Sequence, residues 1–216
     1  MIGDIMSISR LRMGTDGEGV STLVTLHGCP LSCKYCINDY CHDKYCERGA
    51  YTPEGLVEVL KKDDIYFKMS GGGIVFGGGE PLLQSEFIAE VFKLADAKWK
   101  KRIETSLNVP WENIEPLLEL TDEWIIDIKD INDEIYRSYT GCSNAVVLEN
   151  LIKMKKHIST EKMRIRVPYI PDYNDHNDIE KSQEWLRKEL GVEAEQFGYY
   201  VTRKKNADWW DTIRNG

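Results

Sequence analysis

The chain has 216 residues, of which 42% are hydrophobic and 30% are charged, as in an ordinary globular protein. Its formal net charge of −8 argues against nucleic-acid and membrane-surface binders, because such proteins carry a basic face. No apolar stretch approaches the roughly 20 residues of a membrane span, and the N-terminus lacks the apolar core of a signal peptide. We therefore expect one cytoplasmic domain over residues 1–216, with a core at about 19–202 and a short tail at 203–216.

Short apolar runs alternate with longer amphipathic segments along the chain. The runs are brief and rich in β-branched and aromatic residues, so they predict six strands, at 20–27, 73–76, 102–107, 124–128, 164–170 and 196–201. The segments between them predict helices that begin after Thr52 and that cover 84–100, 111–120, 145–156 and 178–190.

This alternation predicts an α/β fold with parallel strands and crossover helices. Six strand–helix units are too few for a closed eight-stranded barrel. Two architectures remain, a partial (β/α)6 barrel of the TIM type and a doubly wound sheet. In both of them the chemistry is expected at the carboxyl ends of the strands.

Five of the six cysteines lie between positions 29 and 46, directly after the first predicted strand. In a reducing compartment such clustering indicates a metal site rather than disulfide bonds. Cys29, Cys33 and Cys36 have the spacing C-x3-C-x2-C, and three thiolates from one tight loop can hold an iron–sulfur cluster while one iron stays open. The alternative is a zinc site, whose fourth ligand would come from one of three nearby residues, Cys41, His42 or Cys46.

Polar signatures also follow the later predicted strands. They are Gly78-Gly79-Glu80-Pro81, Asp127-Ile128-Lys129, Thr140-Gly141-Cys142-Ser143-Asn144 and the segment from Arg166 to Asp175. Together with C-x3-C-x-aromatic-C, in which Tyr35 is the aromatic residue, these motifs resemble the radical S-adenosylmethionine (SAM) superfamily. Within it they resemble the activating enzymes of glycyl radical enzymes, such as pyruvate formate-lyase activating enzyme. One departure is Asp172, which stands where those enzymes have a glycine.

The resemblance spans residues 19 to 176 and implies a partial barrel with a [4Fe–4S] cluster on Cys29, Cys33 and Cys36. It implies SAM contacts from residues at strand ends, namely Tyr35, Gly78, Gly79, Glu80, Thr105, Asp127, Lys129 and Arg166. In this interpretation Glu80 accepts a hydrogen bond from the ammonium group of SAM. Lys129 and Arg166 bind the carboxylate or the ribose of SAM. A monovalent cation near Glu104 and Asp127 is a further expectation. For Asp127 and Lys129 the alternative to SAM binding is a plain ion pair between the two side chains.

A cluster of this type would cleave SAM reductively to methionine and a 5′-deoxyadenosyl radical, which abstracts hydrogen. The first hypothesis is an activating enzyme that takes hydrogen from a glycine of a partner glycyl radical enzyme, with a flavodoxin- or ferredoxin-type electron donor and an anaerobic role. The second is a peptide- or small-molecule-modifying enzyme, for example an epimerase in which Cys142 returns hydrogen. The third is a non-enzymatic iron–sulfur or zinc protein.

Overall fold

The computed structural model describes residues 1–198, so the predicted tail at 203–216 and the end of the last predicted strand lie outside it. Eight strands form one sheet in this range: β1 (Gly3–Met13), β2 (Val20–Leu26), β3 (Gly49–Tyr51), β4 (Gly73–Gly78), β5 (Lys100–Thr105), β6 (Glu123–Asp127), β7 (Met163–Tyr169) and β8 (Glu195–Gly198). The described α-helices are α1 (Pro53–Leu60), α2 (Asp64–Ser70), α3 (Ser85–Leu94), α4 (Asp133–Thr140), α5 (Ala145–His157) and α6 (His176–Leu190).

The sheet has the strand order β3-β1-β2-β4-β5-β6-β7-β8. The six strands from β2 through β4 to β8 are all parallel, and they lie side by side in chain order. Because that order never reverses, the sheet is wound in one direction, as in a TIM-type barrel, and it lacks the switch point of a doubly wound sheet. The described sheet ends in β3 on one side and β8 on the other and is not closed. The predicted single-domain partial barrel of parallel strands is therefore confirmed.

Two strands at one edge of the sheet were not predicted. β1 pairs antiparallel with β2, and the short β3 pairs with the first residues of β1. Along β1 only Gly3 and Ile5 are buried, and the rest mixes serines and arginines with apolar residues. Such a half-exposed strand, which the short β3 covers along only three residues, lacks the alternating pattern by which strands are recognised in a sequence.

Two predicted helices differ from the structure. The segment predicted as a helix over 111–120 forms two short 3₁₀ turns, Trp111–Asn113 and Glu115–Leu117, because Pro116 has no N–H for an α-helical hydrogen bond. The helix predicted over 84–100 ends at Leu94, and the chain reaches β5 through a turn in which Trp99 is buried. One further helix, α4, lies in a segment for which no helix was predicted.

The core lies between the parallel strands and the helices that cover them. Among its members are Phe76, Phe92, Ile103, Trp124 and Leu151, all of which are fully buried. This packing fixes the strands relative to one another, and it thereby places their carboxyl ends, where the polar motifs lie, along one edge.

Candidate functional site

The cysteine loop, residues 27–36, follows directly on β2 and is held by backbone hydrogen bonds. Gly28 begins it in the left-handed region, at a φ of 92°, which a residue with a side chain rarely adopts. The turn that ends α4 supports the other half of the loop, since Ser32 N donates to Thr140 O at 2.8 Å and Lys34 N donates to Tyr139 O at 3.1 Å. Backbone hydrogen bonds to the end of α4 therefore position the loop that carries the three predicted ligands.

All six cysteines are free thiols, and those at 29, 33 and 36 are partly exposed. A hydrogen bond from Cys41 lowers the pKa of Cys36 to about 6 and lowers the pKa of Cys29 as well. Burial raises the pKa of Cys33 to about 11, and the bonds to Cys29 and Cys36 raise the pKa of Cys41 strongly. Thiolates are the form that binds iron, so the lowered pKa values of Cys29 and Cys36 favour metal binding, whereas burial of Cys33 opposes it.

The donor set fits a [4Fe–4S] cluster with one open iron, because three thiols come from a single loop. Among the described residues no three Cys, His, Asp or Glu side chains converge on one point that could hold a single metal ion. An iron–sulfur cube distributes its cysteine ligands over different irons, and it does not need that convergence.

We expect the thiols of the cluster-free protein to react at very different rates with iodoacetamide. At pH 7 a thiol with a pKa of about 6 is roughly nine-tenths thiolate, so Cys36 should react faster than Cys33 by on the order of 50-fold after allowing for its weaker nucleophilicity. Between pH 7 and pH 9 the rate at Cys33 should rise while that at Cys36 stays level. Peptide mass spectrometry after timed alkylation measures both rates. Equal rates would contradict the lowered pKa of Cys36 and the raised pKa of Cys33.

Glu80 lies just after β4 with its side chain buried, and it joins two strand ends. Its carboxylate accepts four hydrogen bonds, from Leu82 N at 3.2 Å, Thr105 Oγ1 at 2.6 Å, Ser106 N at 3.0 Å and Ser106 Oγ at 2.7 Å. Burial raises its pKa, and these bonds offset part of the rise. Four donors occupy both carboxylate oxygens, so an ammonium group reaches Glu80 only where a hydroxyl turns away.

Gly78 and Gly79 bring this segment against the cysteine loop. Gly78 has a φ of 100°, and a Cβ on Gly79 would lie 2.2 Å from the carbonyl oxygen of Gly28. Glu80 N donates to that same oxygen at 2.7 Å. The two glycines are therefore required for contact between two protein segments, a reason that the sequence interpretation did not include.

Arg166 lies in the middle of β7 and is only 4% exposed. Its Nη1 is 2.8 Å from Glu104 Oε1 and 4.0 Å from Asp127 Oδ1, and its Nη2 donates to Thr15 O at 2.6 Å. Burial and the nearby Asp127 raise the pKa of Glu104 to about 7. The guanidinium thus compensates two carboxylates inside the sheet.

Lys129 connects these charges to the cysteine loop. Its Nζ is 3.3 Å from Asp127 Oδ2, which is the ion pair that the sequence interpretation held as an alternative. Its positive charge also adds to the lowering of the Cys36 pKa that the Cys41 hydrogen bond causes. Two buried atoms here lack a hydrogen-bond partner among the described residues, the acceptor Asp127 Oδ1 and the donor Arg166 Nε. Such atoms fit a polar ligand with hydroxyl or carboxylate groups, as SAM has.

Tyr35 is anchored by the residue that departs from the family pattern. Its hydroxyl donates to Asp172 Oδ2 at 2.8 Å, and its ring lies 6.2 Å from that of Tyr139 and 5.8 Å from that of Tyr173. Asp172 has a φ of 70°, the left-handed conformation that favours glycine. Asp172 therefore keeps the backbone shape of a glycine position and adds an acceptor for Tyr35.

Cys142 belongs to the turn that supports the cysteine loop. Its Sγ donates to Pro30 O at 3.4 Å, and Thr140 Oγ1 accepts from Cys142 N at 3.2 Å. The thiol is partly exposed, so it lies beside the predicted cluster rather than in the core.

Sequence reasoning did not give Ser106 or Asn38 a place in the site, and it considered Cys41 only as a possible zinc ligand. Ser106 follows Thr105 and contributes two bonds to Glu80, and its hydroxyl at a strand end was the available signal. Asn38 donates to Gly78 O at 3.0 Å, and Cys41 contacts two of the predicted ligands. Neither of these two residues stands in a pattern with a regular period.

No described helix combines the length and the apolar character that crossing a membrane requires.

Comparisons with known proteins agree with this geometry. The chain matches the radical SAM superfamily over residues 23–186. It is 31% identical to the (2S)-3-sulfopropanediol dehydratase activating enzyme of Klebsiella oxytoca, over 88% of this chain and 78% of that protein. It is 32% identical to the pyruvate formate-lyase-activating enzyme of Clostridium pasteurianum, over 94% and 84% of the two chains.

In fold, the chain is similar to the crystal structure of a domain of pyruvate-formate lyase-activating enzyme from Bacteroides vulgatus. The TM-score is 0.52 at 22% identity, over 66% of this chain and 91% of that one. The chain belongs to the radical SAM superfamily, and its curated relatives there are activating enzymes of glycyl radical enzymes.

Proposed function

We propose that the protein activates a glycyl radical enzyme by abstracting hydrogen from a glycine of that partner. In this proposal Cys29, Cys33 and Cys36 hold a [4Fe–4S] cluster. The bound cluster supplies one electron that cleaves SAM to methionine and a 5′-deoxyadenosyl radical. The observation that carries the proposal is the loop of three thiols at the end of β2, in which two have lowered pKa values. The activating enzymes among its relatives support the choice of substrate.

The chain's own residues would bind and orient SAM beside the cluster. Asp127 Oδ1 and Arg166 Nε have no hydrogen-bond partner within residues 1–198 and suit the ribose or carboxylate of SAM, and Lys129 brings a positive charge close to the thiolates. Glu80 would accept a hydrogen bond from the ammonium group of SAM once the Ser106 hydroxyl turns away from its carboxylate. The remaining proposed contacts are Tyr35, Gly78, Gly79 and Thr105.

A monovalent cation near Glu104 and Asp127 is part of the same proposal. Oxygen ligands suit such a cation, and Asp127 Oδ1 is a buried oxygen without a hydrogen-bond donor among the described residues. The Arg166 guanidinium already lies beside both carboxylates, so any cation would share them with it.

The test is anaerobic reconstitution with iron and sulfide, followed by SAM and dithionite. We expect 5′-deoxyadenosine in chromatography, and a glycyl radical signal in electron paramagnetic resonance (EPR) when a glycyl radical enzyme encoded beside the chain is added. Absence of 5′-deoxyadenosine from a protein that carries its full cluster would overturn the proposal.

A second candidate, modification of a peptide or small molecule, draws on the position of Cys142 beside the cysteine loop. An epimerase would use this thiol to return hydrogen to the substrate radical. Replacement of Cys142 by alanine separates the two candidates. An activating enzyme should keep its yield of glycyl radical, whereas an epimerase should still cleave SAM and lose its net product.

We also propose a flavodoxin- or ferredoxin-type electron donor, a cytoplasmic and anaerobic setting, and no nucleic-acid or membrane partner. The net charge of −8 and the six free thiols support this assignment. We propose one domain over residues 1–216, with its core at about 19–202 and a short tail at 203–216.

A further inference from the structure

The β7–α6 loop, residues 170–175, holds its shape through a buried asparagine. Asn174 is 8% exposed, its Oδ1 accepts from Ile170 N at 2.6 Å, and its Nδ2 donates to Pro168 O at 3.0 Å. The backbone N of Asn174 also donates to Ile170 O at 3.1 Å. None of these bonds uses the side chain of Asp172, so the loop places this carboxylate without depending on what the carboxylate binds.

Asp172 stands in this loop in a conformation that favours glycine. Its φ is 70°, in the left-handed region, where a side chain costs conformational energy that glycine does not. The family pattern that the chain resembles has glycine here, so the backbone shape alone does not require a carboxylate. Within residues 1–198 the carboxylate makes one hydrogen bond, in which its Oδ2 accepts from the Tyr35 hydroxyl at 2.8 Å. This bond joins the β7–α6 loop to the cysteine loop.

Tyr35 lies between the second and third proposed cluster ligands, and its ring meets rings from two other segments. Its centroid is 6.2 Å from that of Tyr139 on α4 and 5.8 Å from that of Tyr173 on the β7–α6 loop. The rings of Tyr139 and Tyr173 are 5.1 Å apart. Contacts between rings tolerate a range of tilts, whereas a hydrogen bond has a narrow range of angles. The bond to Asp172 therefore defines the direction of the Tyr35 side chain.

We propose that Asp172 is a positioning residue that holds Tyr35 in the orientation that binds SAM. The inference rests on the proposed function, in which Tyr35 contacts SAM beside the cluster. Without the carboxylate the Tyr35 side chain would sample several orientations, and SAM would bind to only a fraction of them. With the carboxylate the side chain is ordered before SAM arrives. Binding then costs less conformational entropy, and the affinity for SAM is higher.

Single and double variants test this role in the reconstituted protein. Asp172→Gly removes the acceptor and suits the left-handed backbone, Asp172→Asn keeps an acceptor oxygen, and Tyr35→Phe removes the donor but keeps the ring. Tyr173→Phe is the matched control, because it removes a hydroxyl from the same group of rings, and that hydroxyl makes no hydrogen bond within residues 1–198. Equilibrium dialysis with labelled SAM and no reductant measures Kd. Iron content measures the cluster, and 5′-deoxyadenosine formation gives KM and kcat.

We expect Asp172→Gly and Tyr35→Phe each to raise the Kd of SAM about fivefold, the ratio that one partly exposed hydrogen bond gives. The double variant should also show about fivefold, because both changes remove the same bond. Asp172→Asn should stay within about twofold of the wild type, and Tyr173→Phe should leave Kd unchanged. In Asp172→Gly, KM should rise with Kd while kcat at saturating SAM and the iron content keep their wild-type values.

Several results would overturn the role of Asp172 and leave the proposed function standing. They are an unchanged Kd in Asp172→Gly, an Asp172→Asn variant as weak as Asp172→Gly, a loss of about 25-fold in the double variant, or an equal loss in Tyr173→Phe. Loss of iron in Asp172→Gly would also overturn it, because the effect would then lie at the cluster. A wild-type protein that carries its cluster and neither binds nor cleaves SAM is a different result, since it would refute the proposed function itself.

Discussion

Alanine in place of Cys29, Cys33 or Cys36 is expected to reduce cluster binding and SAM cleavage to background. The three thiols come from one loop that the backbone holds in place, and the loss of any one leaves its iron without a protein ligand. Iron and sulfide assays after anaerobic reconstitution measure the cluster, and 5′-deoxyadenosine formation measures the reaction. Because the backbone N–H groups of Ser32 and Lys34 donate to Thr140 O and Tyr139 O and support the loop, far-UV circular dichroism should show an intact fold.

Cys46→Ala is the control for this series. It lies outside the cysteine loop and should retain both the cluster and the cleavage of SAM. If Cys46→Ala lost the cluster while Cys33→Ala kept it, the ligand assignment would be wrong and the zinc-type alternative with a later ligand would gain support.

Arg166→Met is expected to lower the free energy of unfolding by about 3 kcal/mol at pH 8. The guanidinium is 4% exposed and compensates Glu104 and Asp127, so its removal leaves two partly buried carboxylates without their cation. Arg164→Met is the matched control, because Arg164 lies two residues earlier on the same strand and pairs with the half-exposed Glu195. Arg164→Met should lower the free energy of unfolding by less than about 1 kcal/mol. Chemical denaturation of both variants measures the difference.

The pH dependence of the free energy of unfolding shows whether the uncompensated carboxylates cause the lower stability of Arg166→Met. The pKa of Glu104 is about 7 in the folded protein, and removal of the guanidinium should raise it further above the roughly 4.3 of an unfolded chain. A carboxyl group whose pKa is raised on folding costs stability as the pH rises through this window. The penalty of Arg166→Met should therefore shrink between pH 8 and pH 5, and Glu104→Gln in the same chain should remove part of it. A penalty that is equal at both pH values would point to lost packing instead.

The parallel part of the sheet was predictable because buried parallel strands are short, continuous apolar runs. The end of β6 was predictable for the same reason, and Asp127 and Lys129 lie there. Arg166 was expected at a strand end but lies in the middle of β7, from where its Nη1 is 4.0 Å from Asp127 Oδ1. β1 escaped prediction because most of its residues are partly exposed and show no apolar alternation. The 111–120 segment was misassigned because the effect of Pro116 was not weighed.

The contacts made by loops were not predictable. The bonds of Ser106 to Glu80, of Asp172 to Tyr35 and of Cys41 to two ligands depend on backbone conformations that follow no period in the sequence. The pairing of Arg166 with Glu104 depends on two strands that flank β6, and it joins residues 62 positions apart. Such contacts become visible only once the strand register is known.

The backbone support of the cysteine loop has a consequence for the life of the protein in the presence of oxygen. Ser32 N and Lys34 N donate to the last two residues of α4, and Gly28 N donates to Cys41 O, so these bonds join backbone groups and use none of the three ligand side chains. We therefore expect the loop to keep these backbone bonds when an oxidant destroys the cluster. Repair of the cluster would then need fresh iron, sulfide and reduced thiols. The same protein molecule could become active again without synthesis of a new chain.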